Sequence, residues 1–208
     1  NPTGTVVAAP VPALARLGLP VICDEVFAPF TYAAPAVPPL GALHPDLPVF
    51  TLNGISKLFA LPDMKLGWVA LNRAAQPFGP RLELLNDTFL GANSLSQHLL
   101  PTLFERGAPF VEAMVARVRA NLDLALATLA GHPRLVARPP DGGYYLFPAV
   151  LGCDDEEALA IELIERGVLA HPGYFYGDVP GAHLMISALT EPGRFAEGLA
   201  RLAEALAA

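Results

Sequence analysis

Two residues in the first third of the chain have the types and settings that do chemistry. Lys57 lies in Asn53-Gly54-Ile55-Ser56-Lys57-Leu58-Phe59-Ala60, mostly apolar surroundings just beyond an apolar run. An amine shielded from water holds its proton less firmly and becomes a nucleophile toward carbonyl carbon. Asp24 ends another apolar run, in Ile22-Cys23-Asp24-Glu25-Val26-Phe27. A carboxylate in that setting needs a partner. It serves as a helix cap or an ion-pair member, or it keeps a cofactor's ring nitrogen protonated, which makes the ring an electron sink. Taken singly, Lys57 reads as a surface loop lysine and Asp24 as a cap.

The elements that carry these residues read as α/β. Residues 19–23 form a compact apolar run, predicted as a buried strand ending at Asp24. Strands are also predicted over 49–52 and 66–71, with a long Pro/Ala/Gly-rich loop over 29–48 and a turn over 72–80. A short proline-rich helix is expected within 8–17, and helices over 81–90 and 94–104. The clearest helix is 108–129, where Val111, Val115, Val118, Leu122, Leu126 and Leu129 form an apolar stripe. Gly131-His132-Pro133 stops it. A smaller α/β unit follows, with strands over 135–137, 144–147, 168–170 and 184–187. Its helices are 154–166, with an acidic first turn, and a terminal one carrying Phe195, Leu199, Leu202 and Leu206 on one face. Asp24 and Ser56-Lys57 each follow an apolar strand directly. Ligands of open parallel sheets sit at that end of the strands.

Composition narrows the partners. With 53% hydrophobic and 16% charged residues among 208, the chain can bury a sizeable core. The net charge of −7 and the lack of a basic block argue against nucleic acid and against an anionic membrane surface. The longest apolar stretch, 6–23, is broken by Pro10, Pro12, Arg16 and Pro20, too often to span a bilayer. Cys23 and Cys153 have neither pair nor metal spacing, and no signal peptide is read at the start, so a cytoplasmic setting is expected. Asn1-Pro2-Thr3-Gly4 is turn chemistry with no element before it. The chain is therefore expected to begin inside a larger protein.

Four motifs occur in order at suitable separations: Asn1-Pro2-Thr3-Gly4, Asp24-Glu25-Val26-Phe27, Ser56-Lys57 and Lys65-Leu66-Gly67-Trp68. Gly142-Gly143-Tyr144-Tyr145 and Gly167-Val168-Leu169-Ala170-His171-Pro172-Gly173 extend the pattern over essentially the whole chain. The set resembles the class I/II aminotransferases, pyridoxal-phosphate (PLP) enzymes of fold type I. The resemblance implies part of the large PLP-binding domain over 1–110 with its N-terminal half absent, a bridging helix over 108–130, and a small C-terminal domain over 131–208. It implies pyridoxal 5'-phosphate as cofactor, amino group transfer between an amino acid and a 2-oxo acid, and a homodimer when intact. It gives Lys57 the Schiff base to the cofactor and the shuttling of the substrate α-proton. Asp24 would pair with the ring nitrogen, and Asn1 would donate to the phenolic oxygen and touch the substrate. Ser56 and Lys65 would hold the phosphate. The bond before Pro2 would be cis.

The sequence departs from the family's pattern at four positions. Lys65 stands for the usual Arg, which keeps the charge and loses the bidentate fork. Phe27 stands for a Tyr beside the phenolic oxygen. Gly54 stands where many members carry a hydroxyl. In His183-Leu184-Met185-Ile186-Ser187, Met185 occupies the position of the Arg that grips the substrate carboxylate. Other fold type I reactions, elimination or decarboxylation, share the Schiff-base site. An inactive fragment or paralogue is a further reading, and this chain alone is expected to be inactive. His44, His98 and His132 read as surface or core-edge groups, His171 as a loop residue that could approach the site without a catalytic part, and Tyr144 and Tyr145 as packing, with room for one to line the pocket. Asp154, Asp155, Glu156 and Glu157 read as a helix start, with no metal.

Overall fold

The computed structural model describes residues 1–32, 37–177 and 179–207. Its contacts divide the chain into two compact units, Val7–Glu112 and Asn1–Val6 with Ala113–Ala208.

In the unit Val7–Glu112, helix α1 (Pro12–Leu17) has proline in its first turn and stops at Gly18, whose φ of 63° suits glycine. Strand β1 (Val21–Asp24), helix α2 (Leu40–Leu43), strand β2 (Val49–Gly54), helix α3 (Ile55–Leu58) and strand β3 (Gly67–Leu71) follow. The sheet runs β1-β2-β3, with β2 parallel to β1 and antiparallel to β3. The expectation of a buried strand at β1 is corrected. β1 alternates between half-buried and exposed, and Ile22 is 72% exposed. As an edge strand it has β2 on one side only, and the face that carries Ile22 is uncovered among the described residues of this unit. Helix α2 lies inside the expected loop. A helix of four residues is too short to show a period, and it is fastened from outside by Leu40 donating its amide to Glu25 Oε1 at 2.8 Å.

Asn72, just after β3, ties these pieces together. Its Oδ1 accepts from the amides of Val49 and Ala75, each at 3.1 Å. Its Nδ2 reaches the carbonyls of Gly41, His44 and Leu47 at 3.3, 3.2 and 2.8 Å. His44, expected at the surface or the core edge, is buried, and its Nε2 accepts the Val11 amide at 2.9 Å. Helices α4 (Gly79–Thr88) and α5 (Ser94–Arg106) complete the unit. The core beneath α3 is Ile55, Phe59 and Leu66, packed by Trp68, Leu100, Leu103 and Val111.

Helix α6 (Ala108–Leu129) contains the boundary between the units. The C-terminal unit adds strands β4 (Leu135–Val136), β5 (Tyr145–Leu146) and β6 (Ala149–Val150), then helix α7 (Glu156–Glu165). Strands β7 (His171–Pro172) and β8 (Ala182–Ser187) and helix α8 (Pro192–Ala207) close it. β8 is the hub: β5, β6 and β7 all pair with it antiparallel. The strand expected over 168–170 forms instead at His171 and Pro172, because the ladder opposite Met185 and Leu184 sets the register there. Phe195, Leu199, Leu202 and Leu206 of α8 are buried as one apolar stripe. Asp155 caps α7 by accepting from the Ala158 amide at 2.9 Å, as expected of an acidic helix start.

Candidate active site

The parallel ladder of β1 and β2 brings two candidate residues to one sheet edge. Asp24 lies opposite Leu52, and the Glu25 amide continues the ladder to the Leu52 carbonyl at 2.9 Å. Asn53 then locks the two strand ends. Its Nδ2 donates to the Glu25 carbonyl at 3.1 Å, and its Oδ1 accepts the Gly54 amide at 2.7 Å. Asp24 is exposed at this edge, and its Oδ1 accepts only the Val26 amide, at 3.1 Å, among the described residues. The Asn53 lock was missed in the sequence. Its signal was an amide side chain directly before a strand-ending glycine.

Lys57 rides on α3, immediately after β2. Ile55 and Phe59, four apart, are both buried, so they anchor one face of this turn. Lys57, two residues from each, is carried on the other face and is half-buried. Neither Lys57 nor Lys65 makes an ion pair among the described residues. Among the described residues, two that are not glycine have left-handed backbones, Ala60 with φ 53° and Lys65 with φ 49°. Both follow the candidate lysine, three and eight residues on. Such a conformation costs roughly 1–3 kcal/mol and persists only where neighbours impose it. Before Lys65 the imposing groups are visible: the Met64 carbonyl accepts from Ser96 Oγ at 2.7 Å and Asn93 Nδ2 at 3.1 Å, and Ser96 is fully buried.

The glycine at position 54 has a packing reason. It faces Gly67 across β2 and β3, and a Cβ on Gly54 would stand 2.8 Å from the Leu66 carbonyl oxygen. Gly54→Ser is therefore expected to lower the unfolding free energy by about 1–3 kcal/mol, although it restores the family's hydroxyl. A urea titration of wild type and variant measures this. An unchanged midpoint would mean that the β2–β3 approach relaxes at no cost.

Cys23, next to Asp24, is a protected thiol. Burial, followed by the nearby Glu25 carboxylate, pushes its pKa up to about 11 from an ordinary 9.0. The thiolate is the reactive form. Iodoacetamide at pH 8 should therefore modify Cys23 about a hundredfold more slowly in the folded chain than in urea, read by peptide mass. The folded state keeps a proton that the unfolded state loses between about pH 9 and 11, so stability falls as pH rises through that window.

The remaining candidates belong to the C-terminal unit. Asn1 is exposed, the Asn1–Pro2 bond is cis, and Pro2 is buried. Met185 lies in β8, 6% exposed, opposite His171 of β7. The pairings Tyr145↔Ser187 and Ala149↔His183 share one continuous register, which sets Phe147 opposite Met185. Tyr144, Leu146, Pro148 and Val150 are buried on one face, while Tyr145, Phe147 and Ala149 stand half-buried on the other. The surroundings of Met185 are therefore aromatic and imidazole. Phe147 stacks on His183 with centroids 4.8 Å apart, and His171 Nδ1 and Tyr176 Oη share a hydrogen bond of 2.8 Å. Burial raises the Tyr176 pKa, as does the neighbouring Tyr145.

The donor chemistry of the β1–β2 edge fits PLP. Asp24 offers a carboxylate to a protonated ring nitrogen, and Lys57 offers a primary amine to an aldehyde. Ser56 and Lys65 offer a hydroxyl and a cation to a phosphate.

The fold is that of the fold type I PLP transferases. An aminotransferase structure from Escherichia coli superposes with a TM-score of 0.87 at 23% identity, covering 99% of this chain and 55% of that one. A PLP-bound aminotransferase of Clostridium difficile 630 gives 0.83 at 20% identity, covering 99% and 56%. In sequence, the glutamate–pyruvate aminotransferase AlaA of Haemophilus influenzae is 26% identical over 99% of this chain and 55% of its own length. The family model for aminotransferase class I and II matches residues 1–202. The chain belongs to the class I and II aminotransferases, a PLP-dependent family. It spans about half the length of the relatives that it matches throughout.

Proposed function

We propose that the intact protein is a PLP-dependent aminotransferase that moves an amino group between an amino acid and a 2-oxo acid. The observation that carries this reading is the β1–β2 register, which brings the Asp24 strand end and the strand leading into Lys57 to one sheet edge. When bound, PLP supplies an aldehyde that captures the substrate amine and a ring that accepts electrons from the substrate α-carbon. Asp24 holds the ring nitrogen protonated. Lys57 would hold the cofactor through its amine and would move the proton at the substrate α-carbon. Ser56 and Lys65 hold the phosphate, with Lys65 acting as a point charge rather than a fork. A phenyl ring at Phe27 offers the phenolic oxygen no hydrogen-bond donor.

Residues 1–110 are proposed to belong to the large domain, 108–130 to the bridging helix and 131–208 to the small domain. We infer a homodimer in the cytoplasm. A second copy would shield apolar side chains such as Leu84, Phe89 and Leu90 on and after α4, which are 69%, 73% and 103% exposed. The free thiols Cys23 and Cys153 agree with a reducing compartment. Incubation of the loaded protein with an amino acid alone tests the reaction class. Transamination converts the cofactor to pyridoxamine phosphate and releases a 2-oxo acid. Ammonia release with the cofactor unchanged would instead identify an elimination.

A further inference from the structure

The amide, the carbonyl and the side chain of Glu25 are all tied down, and every tie lies within the unit Val7–Glu112. The amide donates to the Leu52 carbonyl at 2.9 Å. The carbonyl accepts from the Ala28 amide at 3.0 Å and from Asn53 Nδ2 at 3.1 Å. The half-buried side chain accepts the Leu40 amide on Oε1 at 2.8 Å, and its hydrogen bond with the Cys23 thiol helps to raise that thiol's pKa. Successive side chains of a strand point to opposite faces. Cys23 and Glu25 therefore share one face of β1 and its continuation, and Asp24 stands on the other with Ile22. Exposure agrees, since Ile22 and Asp24 are exposed while Cys23 and Glu25 are half-buried. Asp24 also turns one oxygen back onto its own chain, where Oδ1 accepts the Val26 amide at 3.1 Å. That bond spans Glu25, so its geometry depends on how Glu25 is held. It leaves Oδ2 for another partner.

We propose that Glu25 is a positioning residue for Asp24: by gripping the Leu40 amide, its carboxylate fixes the strand end that aims the Asp24 carboxylate. Its consequence for the cofactor rests on the reading of Asp24 as the partner of a protonated ring nitrogen. A carboxylate that is no longer aimed favours the protonated nitrogen less. A part in stability alone would loosen α2 and leave that nitrogen as it is.

The test uses the intact protein and the variants Glu25→Ala, Glu25→Gln, Leu40→Pro and Asp24→Ala. Leu40→Pro breaks the grip from the donor side. Leu40 is the first residue of α2, where proline is tolerated, and Pro39 before it has φ −54° and ψ 146°, a conformation that a following proline favours. Without cofactor, amide exchange at Val26 should rise about tenfold in Glu25→Ala and in Leu40→Pro. Glu25→Gln keeps an acceptor oxygen and should keep the protection. With isotope-labelled PLP bound, the ring-nitrogen NMR shift should move in Glu25→Ala and Leu40→Pro toward its value in Asp24→Ala, and stay near wild type in Glu25→Gln. If Glu25→Ala fails to fold, Leu40→Pro and Glu25→Gln carry the test. A ring-nitrogen shift that moves in Asp24→Ala but not in Leu40→Pro would overturn the positioning role, as would unchanged exchange at Val26. A shift that stays put in Asp24→Ala would overturn the reading beneath it. Neither result touches the assignment of Lys57, which borohydride labelling tests separately.

Discussion

Lys57→Ala is expected to lower transamination by the intact protein roughly 10⁴-fold or more, because the proposed mechanism gives this one side chain both the covalent anchoring and the proton transfer. The expectation follows from how α3 is built. Ile55 and Phe59 are buried and hold the turn, so removing the side chain between them leaves the helix in place. The loss should thus appear in kcat with little change in thermal stability. Lys65→Ala provides the contrast. It removes a phosphate partner and should weaken cofactor binding while leaving a measurable rate at saturating PLP. Borohydride treatment of the loaded protein, followed by peptide mapping, should put the pyridoxyl label on Lys57. A label on Lys65, or a Lys57→Ala variant with near-normal turnover, would overturn the assignment.

Met185→Arg is the second large effect. A guanidinium clasps a carboxylate through two charge-assisted hydrogen bonds, whereas a thioether has no donor to offer. If Met185 occupies the carboxylate-binding position, the unmutated protein should hold alanine and aspartate weakly. The variant should then bind them about 10- to 100-fold more tightly, the equivalent of one or two charged hydrogen bonds. The setting decides whether the gain is realised. Met185 is 6% exposed, so the longer chain must find an outlet along Phe147 and His171 rather than take the thioether's path. The competing donor is Arg194, in the first turn of α8, whose amide is tied to Glu191 Oε2 at 3.0 Å. Tight, productive binding of alanine by the unmutated protein would refute the proposal. So would a complex in which Arg194 grips the carboxylate.

Periodicity made the helices legible. The 108–129 helix was bounded correctly, and the stripe through Val118, Leu122 and Leu129 is buried. Periodicity did not reveal Asn121, buried on the same helix, whose Nδ2 donates to the carbonyls of Ala188 and Thr190 at 2.9 Å each. Whether a polar group is buried depends on a partner far along the chain, and a local pattern carries no record of it. Glu191 is the local contrast: exposed, it accepts the Gly193 and Arg194 amides at 3.0 Å each, and these backbone donors lower its pKa. Strand β1 was legible in position and misread in burial, because an apolar run reports what a strand can bury rather than what covers it. Asp24, Ser56 and Lys57 were legible as strand-end residues. The left-handed backbone at Lys65 was not, since no local signal distinguishes it from a loop lysine.

Asn72 gives this chain a chemical lifetime as well as a shape. Hydrolysis of its carboxamide to a carboxylate would keep the acceptor that serves Val49 and Ala75. It would delete the donor to Gly41, His44 and Leu47 and turn a negative charge toward their three carbonyl oxygens. An ageing event that scarcely changes the mass would thereby unfasten α2, the His44 turn and the start of β2 together.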